Sequence, residues 1–369
     1  MKRSIVSFAL LALAIGTVPL AAGAPPLGLP PVPVPADNPQ TPEKVALGKR
    51  LYEEKRFSSD GTVSCATCHD PVKGFADGIP LAEGVGKQRG TRNSPTVLNA
   101  AYYSTQFWDG RRATLEEQAK DPLVNPIEHG LKSHEPILQV IRSDLSYPPA
   151  FSSVFGIQAK DITIDHVVQA IAAFERTVVA GDSPFDRYLY GGDKTAMSAA
   201  AIRGLEIYRT KGRCQDCHAI GQTEAIFTDN KFHNLGVGFK RIEKNFMQVA
   251  NAFKKAKEAG KNVDESVLTN AEASELGRFV VTLRPTDIGA FKTPTLRNVT
   301  VTAPYMHDGS LKTLEEVVQF YNNGGRLKET DPIPELLDGG IRPLNLTKEQ
   351  QADLVEFLKA LTSSQFVKK

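Results

Sequence analysis

The chain has 369 residues, 41% of them hydrophobic and 23% charged, with 44 Lys and Arg against 42 Asp and Glu. This is the composition of a globular chain and excludes a disordered one. With Lys2 and Arg3 set aside the charges balance, so nothing points to nucleic acid or to a general attraction for membranes.

Met1-Lys2-Arg3 is basic, an apolar run follows from Ile5 to about Ala22, and the small residues Ala21-Ala22-Gly23-Ala24 close the segment. This pattern predicts a secretory signal peptide over residues 1–24. A membrane anchor is the competing reading, but the run is short and Pro19 interrupts it. No later stretch is apolar for long enough to span a bilayer, so a soluble, exported, periplasmic protein is expected. Residues 25–369 exceed what a single core usually fills, and two domains follow as the expectation. Pro25 to Pro42 reads as an extended linker.

Cys65-Ala66-Thr67-Cys68-His69 comes next, and Cys214-Gln215-Asp216-Cys217-His218 later repeats its spacing. Both are C-x-x-C-H, the attachment signature of c-type haem. Two thiols a short turn apart can each add to a porphyrin vinyl group, and the adjacent histidine then reaches the iron as proximal ligand. A single such motif in a cytosolic chain would also fit a zinc or redox site, and four cysteines in an exported chain would ordinarily form disulfides. Two copies behind an export signal, using all 4 cysteines, favour two covalent haems c. Gly48-Lys49-Arg50-Leu51-Tyr52 precedes the first motif as Gly204-Leu205-Glu206-Ile207-Tyr208 precedes the second, a weak internal repeat of a cytochrome c-like unit. Closing amphipathic helices are predicted over Ile164–Val178 and over Lys348–Leu361, the latter behind the N-cap Thr347. Arg241 to Glu275 is Lys-rich with little apolar periodicity and reads as an inserted surface helix or excursion with a solvated face. The fold class expected is all-α: two cytochrome c-like domains with long loops, divided into residues 25–182 and 183–369, each binding one covalent haem c.

An electron carrier needs both irons fully coordinated, whereas a peroxidase needs one open position with an acid–base group above it. The remaining histidines are His129, His134, His166, His233 and His307, and the methionines are Met1, Met197, Met247 and Met306. Spacing alone does not choose a sixth ligand among them.

Asn93-Ser94-Pro95-Thr96-Val97-Leu98-Asn99-Ala100, Gln106-Phe107-Trp108-Asp109-Gly110-Arg111 and Glu117-Gln118-Ala119 resemble the bacterial dihaem cytochrome c peroxidases and their relative MauG. So do Phe291-Lys292-Thr293-Pro294-Thr295-Leu296-Arg297-Asn298 and Ala303-Pro304-Tyr305-Met306-His307-Asp308-Gly309, in the same order over residues 33–362. The resemblance implies that the haem of His69 meets hydrogen peroxide, that Glu128 is the distal carboxylate moving protons, and that Gln118 positions the peroxide. It implies that Trp108 lies between the haems as an electron or hole relay. It further implies a calcium site from Asn93 and the carbonyls of Thr302 and Pro304, oxygen donors that suit this hard cation. Taken singly, Glu128 reads as a surface carboxylate, Trp108 as a core aromatic and Asn93 as a turn residue.

Two departures stand out. Many family members carry a histidine in the loop before Asn-x-Pro-Thr that blocks the peroxide haem; here Leu81 to Arg92 contains none, implying an open haem. After Thr313-Leu314-Glu315-Glu316 many members place a methionine ligand. Here Tyr321 stands there, resembling the tyrosine that ligates this haem in MauG and lowering the reduction potential. An ordinary half-buried aromatic is the other reading of Tyr321, and Met306 is the competing ligand. The function expected is peroxide reduction with electrons from a small periplasmic cytochrome c or cupredoxin. A MauG-like oxidation of tryptophans on a partner protein and a plain dihaem carrier are the alternatives. His129, His134, His233 and His307 are expected to hydrogen-bond to a haem propionate or to backbone.

Overall fold

A computed structural model describes residues 24–366; the expected signal peptide falls almost wholly outside the described residues. Helices dominate, and the only paired strands among the described residues are Phe232–His233 against Phe291–Lys292, antiparallel. No helix among the described residues is long and apolar enough to cross a membrane.

Local sequence explains the helix starts. Thr41 accepts a hydrogen bond from the Lys44 amide ahead of helix Pro42–Tyr52, and Thr114, Thr313 and Thr347 do the same for Leu115–Val124, Leu314–Asn322 and Lys348–Lys359. Each hydroxyl satisfies one of the orphan amides of a first turn. The two predicted closing helices are present, ending at Glu175 and Lys359.

Two helix pairs repeat one design. Pro42–Tyr52 packs on Ile164–Glu175, and Ala199–Arg209 packs on Lys348–Lys359. Gly48 and Gly204 permit the close crossings: a Cβ at Gly48 would sit 1.8 Å from the Ala170 carbonyl oxygen, and one at Gly204 would sit 2.0 Å from that of Asp353. Around the first pair lies an apolar core from Leu47 to Ala180, around the second one from Phe185 to Leu361. The weak repeat seen in the sequence is thus a repeat of packing, which argues for duplication of a unit.

The equivalence extends into the loops. Tyr52 Oη donates to the His69 carbonyl, and Tyr208 Oη donates to that of His218. Asn99 and Asn298 both adopt left-handed backbone, with φ of 62° and 60°, a conformation asparagine tolerates better than most residues. Each ends a Pro-Thr-x-x-Asn run and leads into a single helical turn.

Two expectations need correction. Residues 241–275 are not a solvated excursion. Phe239, Ile242, Ala250, Phe253, Val263, Val267, Ala273 and Leu276 form a third buried core that continues to Ile288. Helix Phe246–Glu258 turns Phe246, Val249, Ala250 and Phe253 inward at helical spacing, a short stripe followed at once by Lys254, Lys255 and Lys257. The segment also grips the first half, since Thr91 Oγ1 donates to the Val267 carbonyl at 2.9 Å and Arg92 reaches Ser274 at 2.8 and 3.0 Å. The stretch from Pro25 is extended but not a free linker: Arg297 and the Ala225 amide both donate to the Gly28 carbonyl, and Tyr102 donates to that of Pro30.

Candidate haem sites and the junction between them

Around the first motif, Cys65 to Cys68 form one helical turn and His69 follows, its amide donating to the Cys65 carbonyl at 2.9 Å. Cys65, Cys68 and His69 are each half-buried. Burial pushes the Cys68 thiol up to about 12 and lowers the His69 imidazole, keeping it neutral. His69 Nδ1 is buried without a hydrogen-bond partner, near the carbonyls of Phe75 and Pro95.

The histidine-free loop folds against this motif. Cys68 Sγ lies 3.8 Å from the Glu83 carbonyl oxygen, and the Val85 amide donates to the Glu128 carbonyl at 3.0 Å. Glu128 follows the Leu115–Val124 helix and accepts from Asn125 Nδ2 at 2.6 Å. Burial raises its pKa above the ordinary carboxylate value, while Arg111 and the Asn125 bond pull the other way. Arg111 is itself fixed by Asp109 and lies 3.4 Å from the centre of the Phe107 ring. Glu128 is therefore a half-buried carboxyl in the first motif's neighbourhood, not a fully exposed one. Gln118 is half-buried in the preceding helix, one turn before Asp121, and no hydrogen bond joins it to Glu128 among the described residues.

The second motif opens onto a large, mainly apolar cavity lined by Cys214, Cys217, His218, Met306 and Tyr321. His218 Nδ1 donates to the Phe227 carbonyl at 2.9 Å, which orients the ring and leaves Nε2 for the cavity. Tyr321 stands in the last turn of helix Leu314–Asn322, and burial, reinforced by Cys214 and Cys217, raises its phenol. His129 and His134 bond backbone carbonyls as expected. His233 and His307 do not: His233 is held between Asp338 and Asp229 at 2.8 and 2.9 Å, and His307 bonds Glu275 at 2.9 Å.

Trp108 occupies the junction. Its indole Nε1 donates to the Asn93 carbonyl at 2.9 Å, and its ring meets His307 edge-on at 6.5 Å. The Asn93 amide donates to the His307 carbonyl and the Lys292 amide to the Trp108 carbonyl, both at 2.8 Å. Asn93, Trp108, Thr302 and Pro304 all border the second cavity. Sequence reading missed Glu275, fully buried and bonded to Arg241 and His307. The available signal was the match of Phe107-Trp108-Asp109-Gly110 to Met306-His307-Asp308-Gly309.

These residues fit covalent haem. All four cysteines are free, so none is consumed in a disulfide, each pair stands beside a neutral histidine, and the second pair lines a cavity. Along the chain, residues 42–195 match the family model described as di-haem cytochrome c peroxidase. A cytochrome-c peroxidase of Denitromonas iodatirespirans is 39% identical, over 96% of this chain and 93% of that protein. The chain belongs to the di-haem cytochrome c peroxidase family. As a member it is an oxidoreductase, and the family implies haem c as its cofactor. Methylamine utilization protein MauG of Methylorubrum extorquens is 36% identical, over 89% of this chain and 81% of that protein. The crystal structure of a MauG-like protein associated with microbial copper homeostasis superposes with a TM-score of 0.75 at 32% identity, over 94% of this chain and 96% of that one. Peroxidase and MauG relatives of this family thus align over most of the chain.

Proposed function

We propose that the protein is a periplasmic dihaem peroxidase that reduces hydrogen peroxide to water beside His69, with electrons delivered by a small cytochrome c or cupredoxin and relayed through the His218 site. The observation that carries this is the half-buried carboxyl of Glu128, with its raised pKa, against the loop that touches Cys68. Cys65, Cys68 and His69 would hold one haem and Cys214, Cys217 and His218 the other, in domains of residues 25–182 and 183–369. The haem held by Cys65, Cys68 and His69 would supply peroxide binding and the redox equivalents. The chain's own residues supply protons and position. Peroxide takes up two electrons and two protons to give two waters. Glu128 accepts the proton of one peroxide oxygen and returns it to the other, and burial raises that carboxyl above its ordinary value, which makes it a better base for the first transfer. Gln118 orients the peroxide, and Trp108, hydrogen-bonded across the junction, divides one long electron transfer into two short ones. Asn93 Nδ2 is taken up by the Ile79 carbonyl, which leaves its oxygen, with the Thr302 and Pro304 carbonyls, to hold Ca2+.

A second reading is MauG-like oxidation of tryptophans on a partner protein. Tyr321 in the cavity of His218 and the histidine-free loop beside Glu128 favour it, since both ease oxidation without prior reduction. One equivalent of hydrogen peroxide added to the fully ferric protein, followed in the Soret and near-infrared bands, separates the two. A rapid change without reductant supports the MauG-like reading; no change until half-reduction supports the donor-driven peroxidase. In either case Glu128→Gln should lower peroxide turnover by roughly 10²–10⁴-fold with both haems still attached, and unchanged turnover removes Glu128 from the mechanism.

A further inference from the structure

The internal repeat aligns Asn93-Ser94-Pro95-Thr96 with Lys292-Thr293-Pro294-Thr295, and in the same register Tyr103 with Thr302, Thr105 with Pro304, and Trp108 with His307. The backbone obeys this equivalence at the junction, where the Asn93 amide bonds the His307 carbonyl and the Lys292 amide bonds the Trp108 carbonyl. The side chains break it. On one side stands the neutral Asn93 with the Thr302 and Pro304 carbonyls bordering the cavity. On the other, Lys292 Nζ donates to the Thr105 carbonyl at 2.7 Å and lies 3.7 Å from the centre of the Tyr103 ring. Lys292 is only 7% exposed.

We propose that the Lys292 ammonium is a built-in cation, standing in the repeat-equivalent place of the ion held by Asn93, Thr302 and Pro304. The duplicated unit then has two cation positions at its junction, one filled covalently by the chain and one filled from solution. This rests on the calcium reading given above.

Three observations support it. The residues that Lys292 touches, Tyr103 and Thr105, are the register partners of Thr302 and Pro304. Burying an amine is costly in an apolar site, and here a carbonyl oxygen and the face of an aromatic ring, groups that suit a cation, meet the Lys292 amine. Thr105 Oγ1 is buried beside this place without a hydrogen-bond partner, an oxygen a bound ion would satisfy. The function of the charge is positional: the Lys292 ammonium holds Tyr103 and Thr105, in the segment leading to the relay residue.

The test exchanges the two halves in the intact dihaem protein. Calcium bound after dialysis against Ca2+ is counted, and the thermal midpoint is measured with and without a chelator. Wild type should hold one ion and lose thermal stability to the chelator. Lys292→Asn should hold two, and Asn93→Lys should hold none and become indifferent to the chelator. A wild type without calcium overturns the reading of Asn93 itself. A wild type with one ion and a Lys292→Asn protein that also binds one overturns only the inference about Lys292. If Lys292→Asn does not fold, Asn93→Lys decides alone: continued chelator sensitivity or retained calcium refutes the equivalence.

Discussion

Glu175 closes helix Ile164–Glu175 with 5% of its surface exposed, and its Oε2 is buried without a hydrogen-bond partner. Burial, opposed by Arg176 and aided by Glu116, moves its pKa from 4.5 to about 8. The folded state therefore holds a proton that the unfolded chain releases near pH 4.5. Between those two values the native state binds more protons, so stability falls as pH rises, by up to about 1.4 kcal/mol per pH unit. The loss is complete above pH 8 and amounts to at most ~5 kcal/mol. Glu175→Gln keeps the volume and removes the titration. Urea denaturation of the holoprotein at a series of pH values from 4.5 to 9 should show wild type and variant equal at the acid end. The variant should gain progressively and level off above pH 8. A constant offset across the series, or a variant less stable at pH 8, would refute the argument that an unpaired buried carboxyl is held protonated.

Two further predictions concern the second half. Tyr321→Met should raise the reduction potential of the His218 haem, because a thioether favours ferrous iron where a phenolate favours ferric; a shift on the order of 0.1 V in spectroelectrochemical titration is expected, and an unmoved potential would remove Tyr321 as a ligand. Arg297 is buried, pairs with Asp186 through two 2.8 Å bonds and also bonds the Gly28 and Ala225 carbonyls. Arg297→Met leaves Asp186 charged in the interior and should cost about 3–5 kcal/mol in chemical denaturation, whereas a loss below ~1 kcal/mol would mean that Ser183 and the backbone suffice for Asp186.

The haem motifs were legible because attachment chemistry is local: five consecutive residues carry both thiols and the histidine. The start of the last helix was legible for the same reason, the Thr347 hydroxyl capping an amide three residues ahead. Even the duplication left a trace, in Gly48 and Gly204 set at equal distance from a following tyrosine. The resemblance in ordered motifs pointed to Glu128, Trp108 and Tyr321, but their burial is a property of packing. The backbone of Glu128 is met by Gly84 and Val85, and Tyr321 faces a cavity made by segments distant in sequence. The same cause hid the core under residues 241–275, whose inward residues are spread over several short helices, and it hid Glu275, whose bond to His307 spans 32 residues. Charge at the junction was the least legible feature. A lysine and an asparagine at equivalent positions look unrelated in a linear chain, and only when the two halves face each other does one side show an ammonium where the other offers oxygens.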